Sequence, residues 1–303
     1  MAHNQNCNMA VPVFCLIFFL MPGASAFVCS FTDREALLKF KVGITSDPKG
    51  YVQDWNEANP FCNWTGITCH QYLQNRVIDL EIIDMRLEGS ISPFLSNLSL
   101  LTRLSLQGNN FRGEIPTTLG ALSQLEYLNM SENKLSGAFP ASLQGCQSLK
   151  FLDLSDNNLS GVIPEELGWC RYWKSATIGN LVSVQAIDLS VNRFSGIIPG
   201  SIGSCTALEY LNLSKNMIEG TIPESLKQIA YLKVLDLAFN QLTGSVPIWL
   251  ANDSVMKNFN LSYNRLSGEV SSTGRFKNLP LNSSAWKIAC VNWSGYFIHL
   301  AVD

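Results

Sequence analysis

The sequence predicts a repeat solenoid of α/β-like coils, on three observations. An asparagine returns at Asn109, Asn133, Asn157, Asn192, Asn216, Asn240 and Asn264, in steps of 24 residues with one step of 35. Apolar residues hold fixed offsets from it, as in Leu149 to Pro164, which reads LKFLDLSDNNLSGVIP. Glycine stands four residues after it in every copy. A fixed period of this length marks a unit that cannot bury its apolar face alone, so copies stack into one continuous core. An eighth copy lies 24 residues before Asn109, with Met85 in the asparagine place.

Each position in the unit has a physical role. Leu152 and Leu154 are two apart, so in a short strand they face one side, the core. Phe151, Asp153 and Ser155 alternate with them and face solvent. Where the strand ends, half-buried backbone groups lose their ladder partners. The Asn157 amide both donates and accepts, so it suits those groups and the coil stacked beside it. Leu159 and Ile163 then turn inward. Gly161 and its equivalents from Gly89 to Gly268 suggest positive φ or close backbone contact. Proline follows three residues later in six copies, from Pro116 to Pro247, with Ser92 and Ser271 replacing it at the ends.

The wording L-x-x-L-x-L-S-x-N-x-L-S-G-x-I-P resembles the plant-type extracellular leucine-rich repeat, over residues 77–272. The resemblance implies a curved leucine-rich repeat horseshoe arc. A parallel β-sheet would line its concave face, with short helical or irregular segments on the convex side.

Taken in order, residues 1–26 read as a signal peptide. Met9 to Met21 is apolar but shorter than a usual membrane span of ~20 residues. Ala24-Ser25-Ala26 offers a small-residue cleavage site. No Lys or Arg precedes the run, and an uncleaved anchor is the competing reading.

Residues 27–76 read as an N-terminal cap. Thr32 and Glu35 form a capping-box pattern, Leu37, Leu38 and Phe40 supply an apolar side, and Asp47-Pro48 is expected to end the helix. Asp33 to Lys41 and Cys62 to Cys69 resemble the cysteine-paired cap of the same family, which implies a Cys62–Cys69 disulfide. A metal reading through His70 lacks two further ligands nearby. The pairing of Cys29 and Cys290 stays open.

Residues 77–272 hold eight repeats with an 11-residue insertion near 169–179, rich in aromatic and basic side chains. It reads either as a binding loop or as a join where whole repeats were lost. Cys146, Cys170 and Cys205 share an inward column with Leu98, Leu122, Leu181 and Ile229, so they are expected to be free buried hydrophobes. A Cys146–Cys170 bridge between adjacent coils is the alternative.

Residues 273–303 form a divergent tail. Thr273 to Asn278 resembles the segment after the last repeat in plant receptor kinases. The kinase motifs that would follow there are absent from these 303 residues.

Charge and catalysis narrow the function. A net charge of −3 and a pI near 5.7 give no basic footprint, so nucleic acid is not an expected partner. Asp153, Asp188 and Asp236 share one strand column with Asn129, Asn212 and Asn260, a repeated surface position and not an acid/base pair. No catalytic residue, metal or cofactor is expected. Of the N-x-S/T sequons, Asn97, Asn252 and Asn282 are the preferred glycosylation sites. Eight stacked strands span about 40 Å, room for an extended peptide of ~11 residues.

The expected ligand-binding residues are Arg103, Tyr127, Phe151 and Tyr210 in one outward column, with Phe239 and Tyr263 in a neighbouring one. The chain reads as a secreted or cell-surface protein- or peptide-binding module, without catalysis and with no membrane span. It resembles the ectodomain of a leucine-rich repeat receptor-like kinase, so the resemblance extends the partners to a co-receptor kinase. A polygalacturonase-inhibitor-like soluble defence protein is the alternative.

Overall fold

The computed structural model describes residues 32–72, 76–171, 184–268 and 274. Leu152 and Leu154 are fully buried, and the same alternation repeats in coil after coil. One apolar core runs the length of the described repeats, from Ala36 and Leu37 to Leu266.

Two sheets flank it. The first has nine strands, from Ile67–Cys69 and Val77–Glu81 through Arg103–Ser105, Tyr127–Asn129 and Phe151–Asp153 to Asn258–Asn260. All its repeat strands are parallel, as stacking of identical coils requires, and only the cap strand Ile67–Cys69 joins antiparallel. Register is unbroken across the long step: Leu152 pairs with Ile187 and Asp153 with Asp188. The additional residues therefore leave the strand ladder untouched. Most of the 169–179 insertion lies outside the described residues, as do Cys29, Asn282 and Cys290.

The second sheet was not foreseen. Eight short strands, among them Asn158–Val162 and Arg193–Ile197, occupy the side expected to be helical or irregular. Pairing here is imposed by stacking, because equivalent segments of adjacent coils lie side by side whatever their β-propensity. The remaining arc of most coils is a five-residue 3₁₀ turn, such as Thr117–Ala121 and Ala141–Gly145. A Cβ on Gly120 would collide with the Ser142 carbonyl of the next coil, so these turns approach too closely for a side chain.

The asparagines close each coil onto the one before. Asn240 Nδ2 donates to the carbonyls of Leu213 (2.9 Å), Leu237 (3.1 Å) and Ala238 (3.3 Å), while Oδ1 accepts from Ile218 N–H (3.0 Å). The same set recurs at all seven asparagines, from Asn109 onto Leu87 and Ile82 to Asn264 onto Leu242 and Leu237. The residue just before each asparagine is left-handed, including Glu132, Val191, Phe239 and Tyr263 at φ near 55°. Gly113 sits at φ 82° with nothing within 4 Å of a built Cβ, so backbone conformation alone selects glycine there.

The cap is pinned by charge and rings. The helix Asp33–Val42 starts in a capping box of Thr32 and Glu35. Asp33, only 4% exposed, meets Arg76 Nε at 2.9 Å and accepts from Val77 N–H at 2.7 Å, tying the helix to the first repeat strand. Trp55 and Trp64 stack beneath it at 5.5 Å. The helix ends at Gly43 and not at Asp47-Pro48, because Ile44–Ser46 must pair with Glu88–Ser90. Asp47 instead accepts from the N–H groups of Tyr51 and Val52.

A disulfide joins Cys62 and Cys69 across a Cα separation of 5.5 Å. Cys146 is buried and free, and burial pushes its thiol up to about 12. Cys205 is disulfide-bonded, which corrects the expectation of a free hydrophobe.

Replacing Asn240 by Ala strands the Ile218 N–H and leaves the Leu213, Leu237 and Ala238 carbonyls with one donor each, from Asn216, Asn264 and the Lys215 N–H, so urea denaturation should show a loss of about 1–3 kcal/mol. Asn240→Asp should cost at least as much, because it keeps the acceptor but turns an oxygen onto three carbonyls. Gly113→Ala should cost about 1–2 kcal/mol, the expense of a left-handed alanine, and its melting temperature should fall accordingly.

Candidate ligand-binding face

The open face of the nine-stranded sheet presents parallel columns, one residue per coil. The pairing register sets Asp79, Arg103, Tyr127, Phe151, Ala186 and Tyr210 side by side in the expected order. Three of these form one stack. Arg103 lies over the Tyr127 ring at 4.1 Å, and Tyr127 stacks on Phe151 at 4.5 Å with planes 5° apart. Glu81 steadies the guanidinium from the other side, Nε to Oε1 at 3.7 Å.

Ala186 ends the stack and leaves Tyr210 apart. The Tyr210 hydroxyl donates to Asp188 Oδ2 at 2.9 Å, and Asn212 Nδ2 donates to the same oxygen at 3.0 Å. Burial first, and the Asp188 charge second, push the Tyr210 phenol up to about 12. Tyr210 is therefore a neutral donor held inward by its neighbours. Phe239 and Tyr263 stack at 4.1 Å near the far end of the sheet, 45% and 52% exposed. They occupy the left-handed position before the asparagine, where Gly108 or Asp84 stands in other coils. A bulky ring gains nothing locally from that backbone.

The next column holds Ser105, Asn129, Asp153, Asp188, Asn212, Asp236 and Asn260 in register. Asn129 and Asp153 use one oxygen identically, accepting from the N–H and hydroxyl of the serine two residues on. Amide and carboxylate are thus interchangeable in this cradle, and no proton-transfer pair is built. Burial raises the Asp153 and Asp236 carboxyls above their ordinary value, against the hydrogen bonds from Ser155 and Ala238 respectively.

Sequence reasoning missed the rim beside the first column. Lys150 reaches Glu126 at 2.7 Å and Lys233 reaches Glu209 at 2.6 Å, each pair 24 residues apart across adjacent coils. The opposite charges at matching repeat positions could have revealed them. Among the preferred sequons, Asn97 ends a 3₁₀ turn and Asn252 ends the short helix Trp249–Asn252, both away from the strand face. Asn129, within the face, is 4% exposed and its amide nitrogen donates to Gln107 and Tyr127. Among the described residues, no group of three or more metal-ligating side chains is gathered, and no helix is long and apolar enough to cross a membrane.

Comparison with known proteins follows this geometry. Residues 31–70 match the leucine rich repeat N-terminal domain, and residues 95–159 and 182–242 match the leucine rich repeat. The LRR receptor-like serine/threonine-protein kinase EFR of Arabidopsis thaliana is 44% identical over 81 residues, 26% of this chain and 8% of that protein. Protein MALE DISCOVERER 2 of the same plant is 40% identical over 113 residues, 36% of this chain and 16% of its own length. The chain thus spans a small part of these relatives, and the matches cover only the ectodomain. The ectodomain of GASSHO1/SCHENGEN3 from Arabidopsis thaliana, solved with CASPARIAN STRIP INTEGRITY FACTOR 2, superposes with a TM-score of 0.65 at 33% identity, over 79% of this chain and 30% of that one. The Arabidopsis receptor kinase HAESA, solved with the peptide hormone IDA and the co-receptor SERK1, gives 0.59 at 29% identity, over 81% and 48%.

The raised carboxyls set a pH signature. Above the raised native value, each aspartate is charged at a cost absent from the unfolded chain. Between the raised and ordinary values the native state binds more protons, so that cost fades as pH drops. Asp153→Asn with Asp236→Asn should therefore be more stable than wild type at pH 7, by at most about 1 kcal/mol after solvent screening. The advantage should vanish near pH 4, as followed by thermal melts across pH.

Proposed function

The chain is a leucine-rich repeat protein homologous to plant receptor-kinase ectodomains, and from that premise we propose that it is a secreted or cell-surface module that binds a peptide or protein ligand. The Arg103–Tyr127–Phe151 stack on the open strand face carries this reading. Three adjacent coils devote large, ordered, half-exposed side chains to one continuous platform. Aromatic and arginine side chains of this kind anchor interfaces because they bury much area at little entropic cost. The homologous receptor HAESA is recorded with a peptide hormone and a co-receptor, so a peptide and a co-receptor kinase are the partners we assign here. The role is recognition in signalling or defence, without catalysis. Asn97, Asn252 and Asn282 are the assigned glycan sites, and glycans on the first two would leave the strand face open. Secretion accords with the Cys62–Cys69 disulfide, a bond of oxidising compartments.

The test is a screen of the full chain against a pool of plant extracellular peptides, with hits measured by calorimetry. Tyr127→Ala with Phe151→Ala should weaken a hit at least tenfold, about 1.4 kcal/mol, with the melting temperature held. Inhibition of a polygalacturonase without capture of any peptide would overturn the receptor reading in favour of the hydrolase-blocking alternative. Loss of binding on mutating Val162 and Ile197 of the second sheet, with the aromatic variant unaffected, would also overturn it.

A further inference from the structure

The first five coils gather negative charge around the aromatic stack. Asp79 and Glu81 precede it, and Asp153 and Asp188 follow it. On the strand columns four carboxylates, Asp79, Glu81, Asp153 and Asp188, share one cation, Arg103, a local net charge of −3 that equals the charge of the whole chain. The rim does not offset this, because Glu126 and Lys150 cancel each other at 2.7 Å. Arg103 is itself committed to Glu81 and to the Tyr127 ring.

A separate observation points to an occupant. Ser105 lies in the outward column between Glu81 and Asn129, is 1% exposed, and its hydroxyl has no hydrogen-bond partner. At the other coils of this column the oxygen accepts from the residue two positions on, as Asn129 does from Ser131 and Asp188 does from Ser190. At Ser105 that residue is Gln107, which turns away to Glu132 and Asn129. A buried donor and acceptor is thus left unused under the half-exposed Arg103–Glu81 pair, beside the stack. Leaving it so is costly unless something completes it.

Resting on the peptide-binding reading, we propose that this face selects a basic extended segment, with an apolar or aromatic residue between two cationic side chains. From the Asp79 strand to the Asp188 strand is four steps of ~4.8 Å, roughly 19 Å, which ~6 extended residues span. The cationic residues would meet the two acidic groups, and the central residue would cover Tyr127 and Phe151. Partial burial of Asp153 favours a desolvated ion pair there over contact with water alone.

The probe is an acetylated, amidated octapeptide with arginines at positions 1 and 7 and a central Phe-Pro, compared with its glutamate counterpart by fluorescence anisotropy on the full chain. The arginine peptide should bind at least tenfold more tightly, and its affinity should fall at least fivefold from 50 to 300 mM NaCl. Asp153→Asn with Asp188→Asn should weaken it at least fivefold with no fall in melting temperature, since asparagine already occupies this column at Asn129 and Asn212. Equal binding of both peptides, or no effect of the double variant, overturns the charge inference. If a neutral peptide binds through Tyr127 and Phe151 at the same affinity, the charge inference falls and peptide binding stands. If peptides of every charge fail, both fall.

Discussion

Seven side-chain amides hold the solenoid together where its backbone ladders cannot. Each coil must leave the first sheet, turn, and enter the second, and in that turn two carbonyls and one N–H have no backbone partner, while a third carbonyl holds one backbone N–H and has room for a second donor. Water cannot reach them and an apolar residue cannot satisfy them. An asparagine answers all four at once, with two carbonyls from its own coil, a third from the coil before, and the accepted N–H from the coil before. The interaction is therefore both local and between coils, and it fixes the stacking register. That register in turn sets the columns on the strand face, so the order Arg103, Tyr127, Phe151 is a consequence of the amide spine.

The left-handed residue before each asparagine is the strain that accompanies this arrangement. Most coils place a polar, charged or small residue there. Phe239 and Tyr263 do not, and they sit exposed and stacked. The backbone demand is common to every coil, whereas the choice of ring is not. The fold does not call for the two rings, and the proposed binding face includes them as it does Tyr127 and Phe151.

Much of this was legible in the chain. Period, alternation, glycine spacing and capping box each restate one physical demand, and each repeats often enough to be seen without a second sequence. The outward columns could be written down in order because parallel stacking leaves no freedom of register. Other features were hidden for identifiable reasons. The second sheet depends on pairing between coils, which no single stretch encodes. The helix ends at Gly43 because a strand forty-five residues away needs Ile44. Cys205 looked like a leucine substitute because its column is apolar, yet it is disulfide-bonded. On the face, the exposed aromatic side chains were visible from residue type. The acidic surround and the idle Ser105 hydroxyl emerged only once neighbouring coils were placed side by side.

Hydrogen exchange at single-residue resolution addresses the amide spine most directly. The N–H groups of Leu87, Phe111, Leu135, Leu159, Phe194, Ile218 and Leu242 each donate to an asparagine side chain of the following coil and to no ladder carbonyl. They should exchange as slowly as Leu128 and Leu152 in the middle of the nine-stranded sheet, through opening of the whole array. Exchange at the rate of an exposed turn, with the sheet still protected, would show that these amides are peripheral and that leucine packing alone holds the coils in place.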